Sequence, residues 1–201
     1  MDGSHWKPPR WRCAKAGFVP DTAMKRSAAS HVHQVSVSDG GVPKEAVLSA
    51  VITSDGLTGD RQRNRKYHGG KDRAVCLYSL EVIEALRAEG HSIGPGSCGE
   101  NLTVAGLDWR HMAPGDRLTI GEHVRLELTS YTTPCRLNAP WFRDGNFRRI
   151  AQETHPGWSR LYARVLGEGV VKPGDAVVVD ACTERSVISE LNVGTNDEAR
   201  T

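Results

Sequence analysis

The chain has no apolar run of membrane-spanning length, and Met1 to Arg12 carry Trp, Pro and charge where a signal peptide needs an apolar stretch. Membrane insertion and export are therefore not expected. Cysteine is sparse: five residues, at positions 13, 76, 98, 135 and 182, odd in number and with no pair at zinc-finger spacing. That pattern excludes a disulfide framework, argues against a zinc site, and predicts a reduced, cytoplasmic protein. Charge of one sign is also missing. The 26 Lys and Arg against 24 Asp and Glu leave a formal charge of +2, too small to imply a nucleic-acid partner.

What is present suits one domain of ordinary size: 38% hydrophobic and 25% charged residues supply a core and a solvated surface. Residues 1 to 30 show neither helical nor strand period and contain Pro8, Pro9 and Pro20, so they are expected to be a poorly ordered extension. An upstream extension, a start at Met24 and a partner-binding arm all remain open for them. The domain is placed at 31–182 and a polar tail at 183–201. Short strand-type runs are predicted over 32–38, 46–53, 73–78, 101–105, 117–120, 123–129, 161–166 and 176–180. Helix is predicted from Ser79 to Glu89, ending at Gly90, and from Asn146 to Thr154. Many short strands without regular βαβ alternation predict a mainly β fold, a closed or partly closed barrel with a few short helices and a site at its mouth. Pro114-Gly115-Asp116 and Pro173-Gly174-Asp175 read as two copies of one turn, each leading into a strand.

Several motifs fail on context. Gly94-Pro-Gly-Ser-Cys-Gly99 matches the dinucleotide fingerprint in letters, but it follows a helix and precedes a strand, the reverse of what NAD binding requires. Pro95 also spoils a nucleophile elbow, leaving Ser97 a turn residue. His31 and His33 share a strand face but lack a third ligand.

Two features carry chemistry. Cys135 follows Pro134, precedes Arg136 and stands just past an apolar strand, where a cation and free N–H groups favour an ionised thiol that binds a soft metal or carries sulfur. The alternative is a small buried hydrophobe. From Gly59 to Arg73, six cations and His68 surround Gly69-Gly70, which would cradle a phosphate through backbone N–H groups and bidentate Arg. A solvated charged loop is the other reading.

His68-Gly-Gly-Lys-Asp-Arg-Ala, Gly99-Glu-Asn-Leu-Thr103, Pro114-Gly-Asp116 and Thr133-Pro-Cys135, in that order, resemble the MOSC domain, the C-terminal domain of molybdenum cofactor sulfurases, which also exists as stand-alone proteins. The resemblance runs from about Val35 to about Asp180. It implies a β-barrel-like fold of the pyruvate-kinase barrel type and a molybdenum-pterin cofactor (molybdopterin). Cys135 matches the family's hallmark cysteine as molybdenum ligand, with cofactor contacts expected from Arg61, His68, Gly69, Lys71, Asn101 and Arg136.

The resemblance implies two uses of Cys135. One is reduction of small N-hydroxylated substrates with electrons from a partner, since the chain has no flavin or iron–sulfur motif of its own. The other is sulfur transfer through a Cys135 persulfide loaded by a cysteine desulfurase. Relatives that reduce hydroxylaminopurine carry a helical C-terminal extension, whereas only a short polar stretch follows Cys182 here. Cys98 is expected to be packing, or a resolving thiol. A non-catalytic anion- or partner-binding module and a hydrolase built on Cys135 and His68 are the remaining alternatives.

Overall fold

The computed structural model describes residues 29–61 and 69–180. Expectations for 1–28, 62–68 and 181–201, His68 and both tails included, lie outside the described residues.

Strand β1 (His31–Val37) is followed by β2 (Glu45–Val47), β3 (Ala50–Thr53) and β4 (Gly56–Leu57). Next come β5 (Val75–Ser79), helix α1 (Leu80–Ala88), β6 (Leu102–Ala105), β7 (Arg117–Ile120) and β8 (Val124–Tyr131). The chain ends with β9 (Leu161–Gly167), β10 (Gly169–Val171) and β11 (Val177–Val179). Eight strands form one sheet in the order β11-β7-β8-β9-β5-β6-β1-β2, and β10-β3-β4 form a small second sheet.

The large sheet curls toward itself. An isolated antiparallel bridge joins His31 to Ala176, and Val32 N donates to Asp175 O while Gly174 N donates to Val32 O, both at 2.8 Å. The second Pro-Gly-Asp turn therefore brings the β11 end of the sheet against β1, which gives the barrel-like form. Both turns have the same geometry. Gly115 and Gly174 take φ of 97° and 91°, and the Asp116 and Asp175 carboxylates accept the N–H groups of Ala113 and Lys172. A positive φ is open to glycine without a steric penalty.

Strand alternation fills the interior. Val75, Leu77, Leu102, Val104, Leu126, Leu128 and Leu161 are each at most 1% exposed. Burying each such side chain contributes about 1.5–3 kcal/mol.

Three sequence expectations change in detail. The run 46–53 divides at Leu48, which is 92% exposed, so β2 joins the large sheet and β3 the small one. The helix expected over 146–154 is only a 3-10 turn, Phe147–Ile150, the last of three such turns that begin at Arg136. Pro140 lies inside the first, and Asp144 and Gly145 take φ of 56° and 65° inside the second, which stops a continuous α-helix. One βαβ unit is present, because β5 and β6 pair in parallel across α1. The long Gly- and Pro-containing connection from Glu89 to Asn101 concealed it in the sequence.

The helix itself is as expected: the Ser79 hydroxyl accepts Val82 N–H at 3.3 Å, Ile83 and Leu86 are buried, and Gly90 at φ 89° ends it. No helix among the described residues is long and apolar enough to cross a membrane.

Candidate functional site

Strand β8 ends at Tyr131, Pro134 prevents its continuation, and Cys135 opens the 3-10 turn Arg136–Trp141. Asn138 closes that turn from below. Its Oδ1 accepts the Cys135 N–H at 3.3 Å, and its own N–H donates to Cys135 O at 2.9 Å. Its Nδ2 donates to the Cys98 carbonyl at 3.3 Å. Arg160, just before β9, donates through Nη1 to the same Cys98 carbonyl, and its Nη2 reaches Asn138 Oδ1 at 3.5 Å. Thr132 N–H donates to Arg160 O at 3.0 Å, joining the ends of β8 and β9.

The result is a half-buried thiol on a fixed turn. The other two described cysteines are buried. Burial pushes the Cys76 thiol up to about 11 and Cys98 up to about 12, against the pull of the Arg160 guanidinium. Among the described cysteines, accessible sulfur chemistry therefore belongs to Cys135.

A second group of residues anchors the start of the basic stretch. Asp60 accepts Ser38 N–H at 2.9 Å and Asn101 Nδ2 at 3.0 Å, and forms an ion pair with Lys44 Nζ. Asn101 is 2% exposed. Its Oδ1 accepts Cys76 N–H at 3.1 Å, and its Nδ2 also donates to Ser36 O. Its amide is thus occupied in tying loop to strand. Arg61 is exposed and pairs with Asp39 at 3.0 Å. A cleft of about 370 Å³ opens beside it, lined by Thr53, Asp55, Gly56, Leu57, Thr58, Asp60 and Arg61.

The described chain resumes at Gly69. Gly70 takes φ of 94°, and a Cβ there would meet nothing within 4 Å, so the backbone faces open space before the turn Lys71–Arg73. Lys71 is exposed. The Thr129 hydroxyl holds the turn through Asp72 O, and Arg164 reaches Asp72 Oδ1 at 3.3 Å.

Tyr162 links the two groups. It pairs across strands with Cys76 and Ser130, on the face opposite the core residues Leu161 and Ala163. Burial pushes its phenol up to about 12. The Arg160 and Arg73 guanidinium groups act against that rise. Arg73 also lies 5.7 Å from the centre of its ring. The Lys71–Arg73 turn therefore lays Arg73 over the ring of Tyr162, which pairs with Cys76 of β5 and Ser130 near the end of β8. Arg136 is exposed beside Cys135 and forms no ion pair among the described residues, while Arg61 faces Asp39.

Sequence reasoning missed Asn138, Arg160, Glu100, Asp60, Lys44 and Tyr162. Only Asn138 left a local signal, standing three residues after Cys135 in the arrangement of a capping box. Ser97 is the expected turn residue, its hydroxyl accepting Gly94 N–H at 2.9 Å. Among the described residues no three His, Cys, Asp or Glu side chains gather as a metal-binding group.

Glu100 is fully buried. Its Oε1 accepts Gly96 N–H at 2.7 Å, while Oε2 has no partner. Burial raises its pKa above the ordinary 4.5. A raised folded-state value contributes stability below 4.5 that is lost as pH rises toward the folded value. Glu100→Gln should therefore gain stability relative to wild type as pH rises from about 5 to 8, measured as the difference in denaturation midpoints.

The MOSC domain family model matches residues 64–178, more than half of the chain and including Cys135. YflK of Bacillus subtilis is 33% identical over 136 residues, covering 67% of this chain and 60% of YflK. YiiM of Escherichia coli is 30% identical over 149 residues, covering 71% of this chain and 62% of YiiM. A Gibberella moniliformis protein named Reductase is 28% identical over 62% of this chain but only 22% of its own length. The chain thus spans less than two thirds of the curated relatives it matches. The crystal structure of YiiM from Geobacillus stearothermophilus shares the fold, with a TM-score of 0.60 at 23% identity over 79% of this chain and 77% of that one. The motif order, the fold and these matches agree, and the chain belongs to the MOSC domain family.

Proposed function

We propose that the protein holds a molybdenum-pterin cofactor through Cys135 and reduces N-hydroxylated compounds with electrons from a separate donor. The observation that carries this reading is the half-buried Cys135 on a turn fixed by Asn138, with the other described thiols buried. The residues present fit the cofactor. A thiolate is the soft ligand such a metal takes, and Gly69, the open backbone at Gly70 and exposed Lys71 suit its phosphate. Arg136 beside the thiol adds a bidentate donor, and Arg61 at the cleft adds a second cation. His68 belongs to the same stretch in sequence.

When bound, the cofactor supplies the two-electron redox chemistry. The chain's own part is to present the sulfur, hold the anionic end and line the approach. The net change is R–NHOH + 2 e⁻ + 2 H⁺ → R–NH₂ + H₂O, with the electrons brought by a partner protein. A relative matched over 22% of its own length is named Reductase, which agrees with reduction as the general type of chemistry.

The accessibility of Cys135 also favours a second reading, a persulfide loaded by a cysteine desulfurase and passed to an acceptor. One preparation separates the two. Protein from cells that make the pterin cofactor is analysed for molybdenum and for cyanide-releasable sulfur, as wild type and as Cys135→Ala. Near-stoichiometric molybdenum, lost at least tenfold in Cys135→Ala, is expected. Labile sulfur without molybdenum would instead establish the carrier, and neither signal would leave a binding module.

A further inference from the structure

We infer that Arg160 is a positioning residue for Cys135, an inference that rests on the reading of Cys135 as the functional thiol. Arg160 is 6% exposed and forms no ion pair with a carboxylate among the described residues. Its hydrogen-bond partners are the Cys98 carbonyl, Asn138 Oδ1 and the buried Cys76 thiol, and its Nε is buried with no partner. Glu100 lies within its field, but burial favours the neutral form of that carboxyl.

Burying a guanidinium costs desolvation, which these hydrogen bonds offset, so the side chain is held by the groups it bonds. Asn138, 1% exposed, receives Arg160 on the same Oδ1 that accepts the Cys135 N–H, and both Arg160 and Asn138 donate to Cys98 O. The guanidinium thus joins the Cys98 loop, the Asn138 side chain and the start of the Cys135 turn. The Thr132–Arg160 backbone bond ties the same residue to the end of β8. Without the guanidinium, Asn138 Oδ1 keeps only the Cys135 N–H, and the turn is tied to the Cys98 loop by the Asn138 Nδ2 bond alone.

The test is amide hydrogen exchange on the full chain without cofactor, beside thermal melting and the molybdenum content of protein from cofactor-producing cells. Arg160→Met, a residue of similar length that fills the space, should remain folded, as its melting transition will show. Exchange across residues 135–141 should nevertheless accelerate at least tenfold, and molybdenum content fall at least tenfold. Arg160→Lys, which keeps a donor to the Cys98 carbonyl, should recover part of the protection. Unchanged exchange across 135–141 in folded Arg160→Met would overturn the inference. Should Arg160→Met fail to fold, Arg160→Lys decides, since it keeps the charge but loses the second donor to Asn138 Oδ1: exchange across 135–141 faster than wild type supports positioning, and exchange equal to wild type overturns it. A wild type without molybdenum removes the cofactor reading while the exchange result still stands.

Discussion

Replacing Asp60 by alanine will destabilise the fold by about 3–5 kcal/mol, the cost of removing one partner from a buried ion pair. The Lys44 and Asp60 side chains are 8% and 4% exposed, so the ammonium left behind has little access to water. Asn101 Nδ2 and Ser38 N–H lose an acceptor in the same substitution. Against a total stability of about 5–15 kcal/mol for a domain, a loss of this size is a large fraction. Chemical denaturation with urea measures it. The control is Asp39→Ala, which breaks the Arg61 pair one residue further on. Both of its side chains are about four-fifths exposed, at 79% and 80%, and an exposed pair contributes little. Equal losses in the two variants would show that Asp60 is not the anchor of the basic stretch. The effect should extend beyond stability, because Asp60 directly precedes Arg61 and is bonded through Asn101 to the backbone of Cys76.

Iodoacetamide at pH 8 is expected to modify Cys135 at least about 100-fold faster than Cys76 or Cys98 in the folded protein. Thiols pushed up to about 11 and about 12 are ionised at that pH only to the order of one part in a thousand and one in ten thousand. Their burial also requires local opening before reagent can enter. Peptide mapping by mass spectrometry resolves the three sites from Cys13 and Cys182. In denaturant the rates should converge. A folded protein in which Cys98 reacted as fast as Cys135 would remove the basis for assigning the function to a single thiol.

Much of the architecture is legible in the sequence because its signals are local. Alternating runs such as Val124–Leu128 place strands, Ser79 and Gly90 bound the helix, and Pro-Gly-Asp twice marks a turn. Cys135 was legible for a similar reason: Pro134 and Arg136 flank it, and the strand before it has ended. The 3-10 turns at 136–150 were less so. Phe147 and Ile150 have helical spacing, but Arg149 is held by two hydrogen bonds to Glu89 and stacks 3.7 Å from the centre of the Trp158 ring. Those contacts span long stretches of chain, and no local pattern announces them.

By itself the sequence determined the mainly β class, the membership implied by four ordered motifs, and the choice of Cys135 as the candidate thiol. Each depends on residue type and near-neighbour spacing. Only the tertiary structure decided that β5 and β6 run in parallel, that the sheet curls until β1 meets the 174–177 turn, and what lies beneath Cys135. No local pattern marks Arg160 or Glu100 as buried, yet one is 6% exposed and the other 0%. Burial is set by which strands pair and which loops cross, and the electrostatics of the site follow from burial.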